Sequence, residues 1–204
     1  MTAATNGNPG FIYLASKSPR RRELLAQLGL EFEIVPVAID ESSWAGEAVA
    51  DYVQRLATEK ARAAWSCLAG VGGVLLAADT AVAIDGQILG KPAGESDALR
   101  MLQQLSGRRH EVLTAVSVRD DSRAATALSR SSVTFREISP AERIAYWRSG
   151  EAADKAGAYA IQGLGAIFVE ELCGSYSGVM GLPLLETARL LNRFGYCFPV
   201  SHAK

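Results

Sequence analysis

The stretch "LASKSPRRRELLAQLG", residues 14–29, puts Arg20, Arg21 and Arg22 where a helix should start. Ser18 suits the N-cap, Pro19 the first helical position, Leu24, Leu25 and Leu28 an apolar stripe, and Gly29 the stop. A helix N-terminus already carries partial positive charge, so each cation in its first turn is unfavourable by roughly 0.3–1 kcal/mol. An anion reverses that sign, because phosphate binds readily at helix N-termini and the planar guanidinium fork matches its oxygens. The cluster therefore reads either as a polyphosphate site or as a basic turn with its heads in water.

A carboxylate that could act on such a ligand is Asp79, the last residue of the apolar run "VLLAAD" (74–79). It falls at the carboxyl end of an expected central strand, where ligands of open α/β sheets bind. A turn-forming aspartate is the alternative. Beyond it, Asp85-Gly86 between apolar segments signals a two-residue hairpin. If Ile84 faces Gln87, then Val82 faces Leu89 and Thr80 faces Lys91, which returns Lys91 to the neighbourhood of Asp79. An ammonium that close lowers a carboxylate's pKa and weakens it as a base, which favours metal ligation by Asp79 over solitary base catalysis.

Other groups could join them. Lys60 follows Val49, Val53 and Leu56 on one helix face and either snorkels to solvent or enters a cleft. The adjacent Asp40 and Glu41 could hold a hard divalent cation or form a solvated turn. In "DKAGAYAIQG" (154–163), Asp154, Lys155 and Gln162 sit among glycines that permit close backbone approach, and Gln162 could read a base edge or cap a turn. His110, after Arg108 and Arg109, has no acid or nucleophile partner in sequence and is either structural or phosphate-facing.

The elements that must position these groups alternate along the chain. Strands are expected at 11–15, 32–37, 74–79 and 110–118, with one more inside "GAYAIQGLGAIFVEEL" (157–172). Helices are expected at 48–65, at 96–107 closed by Gly107, at 139–147 opened by the capping box of Ser139 and Glu142, and at 183–194 stopped by Gly195. This is an α/β arrangement, read as one domain over 11–200 after a flexible, small and polar leader at 1–10.

Composition narrows the function. A chain of 204 residues, 49% hydrophobic and 21% charged, can bury a substantial core, and its formal charge of −1 argues against a general nucleic-acid binder. Any anion site must be local. Cys67, Cys173 and Cys197 are odd in number and form no CxxC pair, which fits reduced cytoplasmic thiols. No apolar run approaches a membrane span, and no Walker A, GxSxG or HExxH motif is present.

Six segments in series, "LASKSPRRRELL", "EKARA", "AADTAVAIDGQILGKP", "SGRRHEVLTAV", "DKAGAYAIQG" and "GSYSGVMGLPL", resemble the Maf family of nucleoside triphosphate pyrophosphatases, also called septum formation inhibitor proteins. The resemblance runs from about Phe11 to Phe198. It implies a mixed sheet with flanking helices in two lobes around a cleft, similar to the inosine triphosphate pyrophosphatase-like fold. It also implies cleavage of a triphosphate to the monophosphate and pyrophosphate with Mg2+ or Mn2+, and the wording is similar to the branch acting on dTTP and UTP. By motif position the resemblance makes Asp79 the proton acceptor and ties Arg20, Thr80 and Gln162 to substrate specificity. Lys60 and Lys91 then contact phosphate, with Arg21 beside Arg20, while Asp40 and Asp79 are the metal positions. A cytoplasmic homodimer, removal of modified pyrimidine nucleotides and a link to septum formation are further expectations. The competing readings are an N7-methyl-GTP pyrophosphatase and a non-catalytic, nucleotide-binding regulator of division.

Overall fold

Seven strands form one mixed sheet in this computed structural model, which describes residues 10–68 and 72–198. Residues 1–9 of the expected leader and 199–200 of the expected domain lie outside the described residues. The strands are β1 (Phe11–Leu14), β2 (Phe32–Ile34), β3 (Gly73–Ile84), β4 (Gln87–Leu89), β5 (Arg109–Arg119), β6 (Ala124–Phe135) and β7 (Val169–Cys173). Their order is β2-β1-β3-β5-β6-β7, with β4 also on β3. Only the pairings of β1 with β2 and β3 are parallel. The helices are α1 (Pro19–Ala26), α2 (Val49–Trp65), α3 (Glu95–Leu105), α4 (Pro140–Arg148), α5 (Tyr176–Met180) and α6 (Leu184–Arg193).

β3 organises the molecule. The strand expected to end at Asp79 runs on to Ile84, with Asp79 opposite Ala115 in the β3–β5 ladder. A carboxylate is tolerated in mid-strand here because a lysine meets it, as described below. On the edge away from β5, β1 covers β3 as far as Leu76 and β4 covers it from Val82 onward. Between those points β3 has no strand on that edge, because β1 has turned away towards α1. That gap is the mouth of a cleft.

Alternation along β3 sends its side chains to two faces. Leu75, Ala77 and Ala81 pack on the α2 face, against Ala57, Ala61 and Ala64, and Asp79 shares that face by register. Val74, Leu76 and Ala78 pack on the other, against Leu24 and Leu25 of α1 and Leu190 and Leu191 of α6. Beyond the gap, Val82, Ile84 and Leu89 join Leu102, Leu105, Phe135, Tyr146 and Phe168 in a separate core under α3 and α4. The two-lobed α/β architecture expected from the sequence follows from this division.

Local signals held where short-range geometry dominates. The hairpin forms with Asp85 and Gly86 at φ +52° and +76° and pairs Val82 with Leu89, and Ser139 and Glu142 complete their capping box. The expected strand 32–37 stops at Ile34, two residues before Pro36, which has no N–H to give to a ladder. β6 has no counterpart among the expected strands, since its Ala, Ser and Thr carry a weak apolar signal, yet it pairs with β5 from Ala124 to Thr134. Among the described residues no helix is long and apolar enough to cross a membrane, and no disulfide joins Cys67, Cys173 or Cys197.

Candidate active site

The gap in β3 opens into a cleft of about 1090 Å³, walled by the start of α1, the loop before α2, the segment after β4 and residues 150–163. Asp79 lies at its floor, 6% exposed. Lys60, projecting from the sheet-facing side of α2, donates from Nζ to Asp79 Oδ1 at 2.5 Å and stands 2.6 Å from Glu41 Oε1. The lysine therefore enters the cleft instead of snorkelling out. Burial raises the Asp79 carboxyl above the ordinary aspartate range, against the opposing charges of Lys60 and Arg21. The expected net lowering by an adjacent ammonium is thus reversed, because desolvation outweighs it.

Lys91 is placed differently from the register expectation. β4 ends at Leu89, so Lys91 does not pair with Thr80; it reaches the cleft from the following segment, 3.9 Å from Glu41 Oε2. Asp40 and Glu41 also part company. Asp40 Oδ1 accepts from Ser42 N at 2.9 Å and from its hydroxyl at 2.6 Å, outside the cleft, whereas Glu41 points in. Burial would raise the Glu41 carboxyl, but the Lys60 hydrogen bond and the charges of Lys60 and Lys91 hold it below its usual range. Tyr52, whose hydroxyl donates to Glu41 O at 2.9 Å, secures this loop, as does Arg55 through Glu47. The sequence carried a signal for Glu41: Val35, Val37 and Ile39 alternate inward, and the same period places Glu41 with them and Asp40 outside.

The opening arginines divide by direction. Arg22 is exposed. Arg21 is held across the sheet, with Nε donating to Gly181 O at 2.8 Å and Nη2 to Thr80 Oγ1 at 3.2 Å. Arg20 lines the cleft beside residues 150–163, where Asp154 and Glu151 supply opposing charge. Burial lowers both guanidinium pKa values, yet both groups stay cationic. Ser18 is the N-cap residue of α1 but makes no side-chain capping bond, and the first turn contains no acid. Ser16 Oγ instead accepts from Ser18 N at 3.1 Å. A helix end with two inward arginines and no acidic cap suits a polyanion.

The third wall depends on a residue that motif reading missed. Glu151 accepts from Tyr146 Oη at 2.6 Å, Leu164 N at 2.8 Å and Gly165 N at 3.0 Å, pinning the segment that carries Gln162. A Cβ on Gly163 would overlap the Glu151 carboxylate where it now lies, so this close approach relies on glycine. Gln162 is exposed on the cleft wall, and Asp154 pairs with Lys155 close by. His110 is structural: it is buried between Phe135 and Tyr159, with Nε2 3.0 Å from the Tyr159 hydroxyl. Arg108 turns to Asp85 of the hairpin and Arg109 to Ser132.

A buried carboxylate under a ring of cations, facing an uncapped helix start at a break in a mixed sheet, defines an α/β protein equipped to act on a polyanionic ligand. The chain belongs to the Maf-like protein family, whose profile matches residues 11–194. It is 57% identical over 184 residues to the dTTP/UTP pyrophosphatase of Methylococcus capsulatus, covering 90% of this chain and 91% of that one. It is 51% identical to the enzyme of the same name from Saccharophagus degradans, covering 95% of each. Its fold is similar to that of a HAM1 protein from Coxiella burnetii, at a TM-score of 0.50 and 19% identity, over 90% of this chain and 98% of that chain.

Proposed function

We propose that this chain hydrolyses dTTP and UTP to the monophosphate and pyrophosphate. The observation that carries the reading is Asp79, buried at the cleft floor and bound to Lys60 beneath two inward arginines. Relatives sharing half or more of its residues over nearly the whole chain bear the name of that activity. In the reaction, Asp79 accepts a proton from a water whose oxygen bonds to the α-phosphorus, and the bond from that phosphorus to the bridging oxygen breaks, releasing pyrophosphate. A carboxyl raised by burial is better suited to this than an ordinary aspartate. Arg20 and Arg21 take the triphosphate, while Lys60 and Lys91 offset the charge that grows on the leaving group. Thr80 and Gln162 contribute to substrate choice.

The donor set fits Mg2+ or Mn2+. Asp79 and Glu41 present carboxylate oxygens to one ammonium position, and magnesium commonly takes one or two carboxylates together with waters and substrate phosphates. Among the described residues no cluster of three His, Cys, Asp or Glu forms a self-sufficient metal cage. Asp79 and Glu41 would hold the cation, with Asp40 turned to Ser42, and the cation would screen phosphate charge. A cytoplasmic homodimer that removes modified pyrimidine nucleotides, with a link to septum formation, completes the proposal on the strength of the family resemblance.

The test is pyrophosphate release from dTTP, UTP, CTP and N7-methyl-GTP with magnesium or manganese, for the parent and Asp79→Asn. Release from dTTP and UTP that vanishes in the variant is expected. Binding without release in the parent would replace the enzyme with a nucleotide-binding regulator, and preference for N7-methyl-GTP would move it to the other branch.

A further inference from the structure

Thr114 lies in mid-β5, directly across the ladder from Thr80, 1% exposed and outside the lining of the cleft. Its Oγ1 is 2.7 Å from Gly178 O and 2.9 Å from Thr80 Oγ1. A carbonyl oxygen can only accept, so the contact to Gly178 requires the single hydroxyl proton of Thr114. Were that proton turned to Thr80, two buried oxygens would face each other with none between them, at a cost comparable to an unmade buried hydrogen bond. Thr80 must therefore donate to Thr114. Its oxygen keeps only lone pairs for other partners, and one of these accepts from Arg21 Nη2.

The hydrogen bonds thus run one way, from Arg21 to Thr80 to Thr114 to Gly178 O. They tie the first turn of α1, by way of two threonines on one face of the sheet, to α5. Arg21 Nε reaches Gly181 O at the C-terminal turn of the same short helix, so both ends of the network rest on α5. We infer that Thr114 is a positioning residue: by taking the Thr80 proton it fixes the Arg21 guanidinium towards the cleft and leaves Thr80 able only to accept from a ligand. Nothing in its own position touches substrate. The turnover arm of the following test rests on the proposed pyrophosphatase activity; the other arm does not.

A double-mutant cycle of Thr80→Val and Thr114→Val separates this role from packing, since valine keeps the shape and removes the hydroxyl. Two quantities are read: the solvent exchange rate of the Arg21 Nε–H by 15N NMR in the ligand-free protein, and kcat/KM for dTTP with magnesium. Each single substitution should speed the exchange several-fold and lower kcat/KM by about five- to tenfold, the scale of one net hydrogen bond. The double variant should be no worse than Thr80→Val alone, and Thr114→Ser should restore most of the loss. Effects of the two valines that add in full, or a Thr114→Val that changes neither quantity, would overturn the inference. If the parent leaves dTTP intact the proposed activity fails, and the exchange cycle alone decides about Thr114. Should Thr114→Val not fold, Thr114→Ala enters the same cycle.

Discussion

Replacing Lys60 by methionine removes the cation that stands between Asp79 and Glu41 while keeping most of the aliphatic stem. Removing one partner of a buried ion pair typically costs 3–5 kcal/mol. Lys60 and Asp79 have side chains 12% and 9% exposed, but Glu41 is 47% exposed and can turn to water, so its share is small. The low end, about 3 kcal/mol at neutral pH, is the expected loss. That loss must depend on pH. In the variant the buried Asp79 has lost a principal counter-charge, so its native carboxyl binds a proton that the unfolded chain has already released above a pH of about 4. The native state then holds more protons than the unfolded one, and stability relative to the parent rises as pH falls. Urea unfolding in EDTA at pH 7.5 and 5.0, followed by far-UV circular dichroism, measures both quantities. The deficit should shrink clearly at pH 5.0, and Asp79→Asn added to Lys60→Met should recover part of it at pH 7.5. A deficit under about 1 kcal/mol, or one equal at the two pH values, would refute the reasoning.

Other outcomes follow from the same structure. Burial pushes the His110 imidazole down to about 4, so the unfolded chain binds its proton first and the stability is lost as pH falls from about 6.5 towards 4. The full difference is about 3 kcal/mol, and His110→Gln should flatten the dependence of the unfolding free energy on pH across that window; an unchanged slope would count against it. Glu151→Ala removes the acceptor for one hydroxyl and two backbone donors, with an expected loss of about 2 kcal/mol in chemical unfolding. Because that segment carries Gln162, KM for dTTP should rise more than kcat falls, and a pure kcat effect in steady-state kinetics would argue otherwise.

The features legible along the chain were local or motif-borne. The hairpin at Asp85-Gly86, the capping box at Ser139, the α/β alternation and the membership of the Maf-like family were all legible, because turn chemistry, caps and ordered motifs act over a few residues. Arg20, Arg21, Lys60, Asp79, Thr80, Lys91 and Gln162, which all line the cleft, were named as candidates for the same reason. Tertiary structure alone decided their partners. Only packing of α2 on the sheet put Lys60, rather than Lys91, against Asp79, and only burial at the break in β3 turned the shift of that carboxyl upward. The choice of Glu41 over Asp40 depended on which side of an extended segment met the cleft, and the direction of the Thr80 hydroxyl depended on a carbonyl in α5. A pKa and a hydrogen-bond polarity are properties of surroundings assembled from distant parts of the chain, so neither is written in the spacing of the residues that display them.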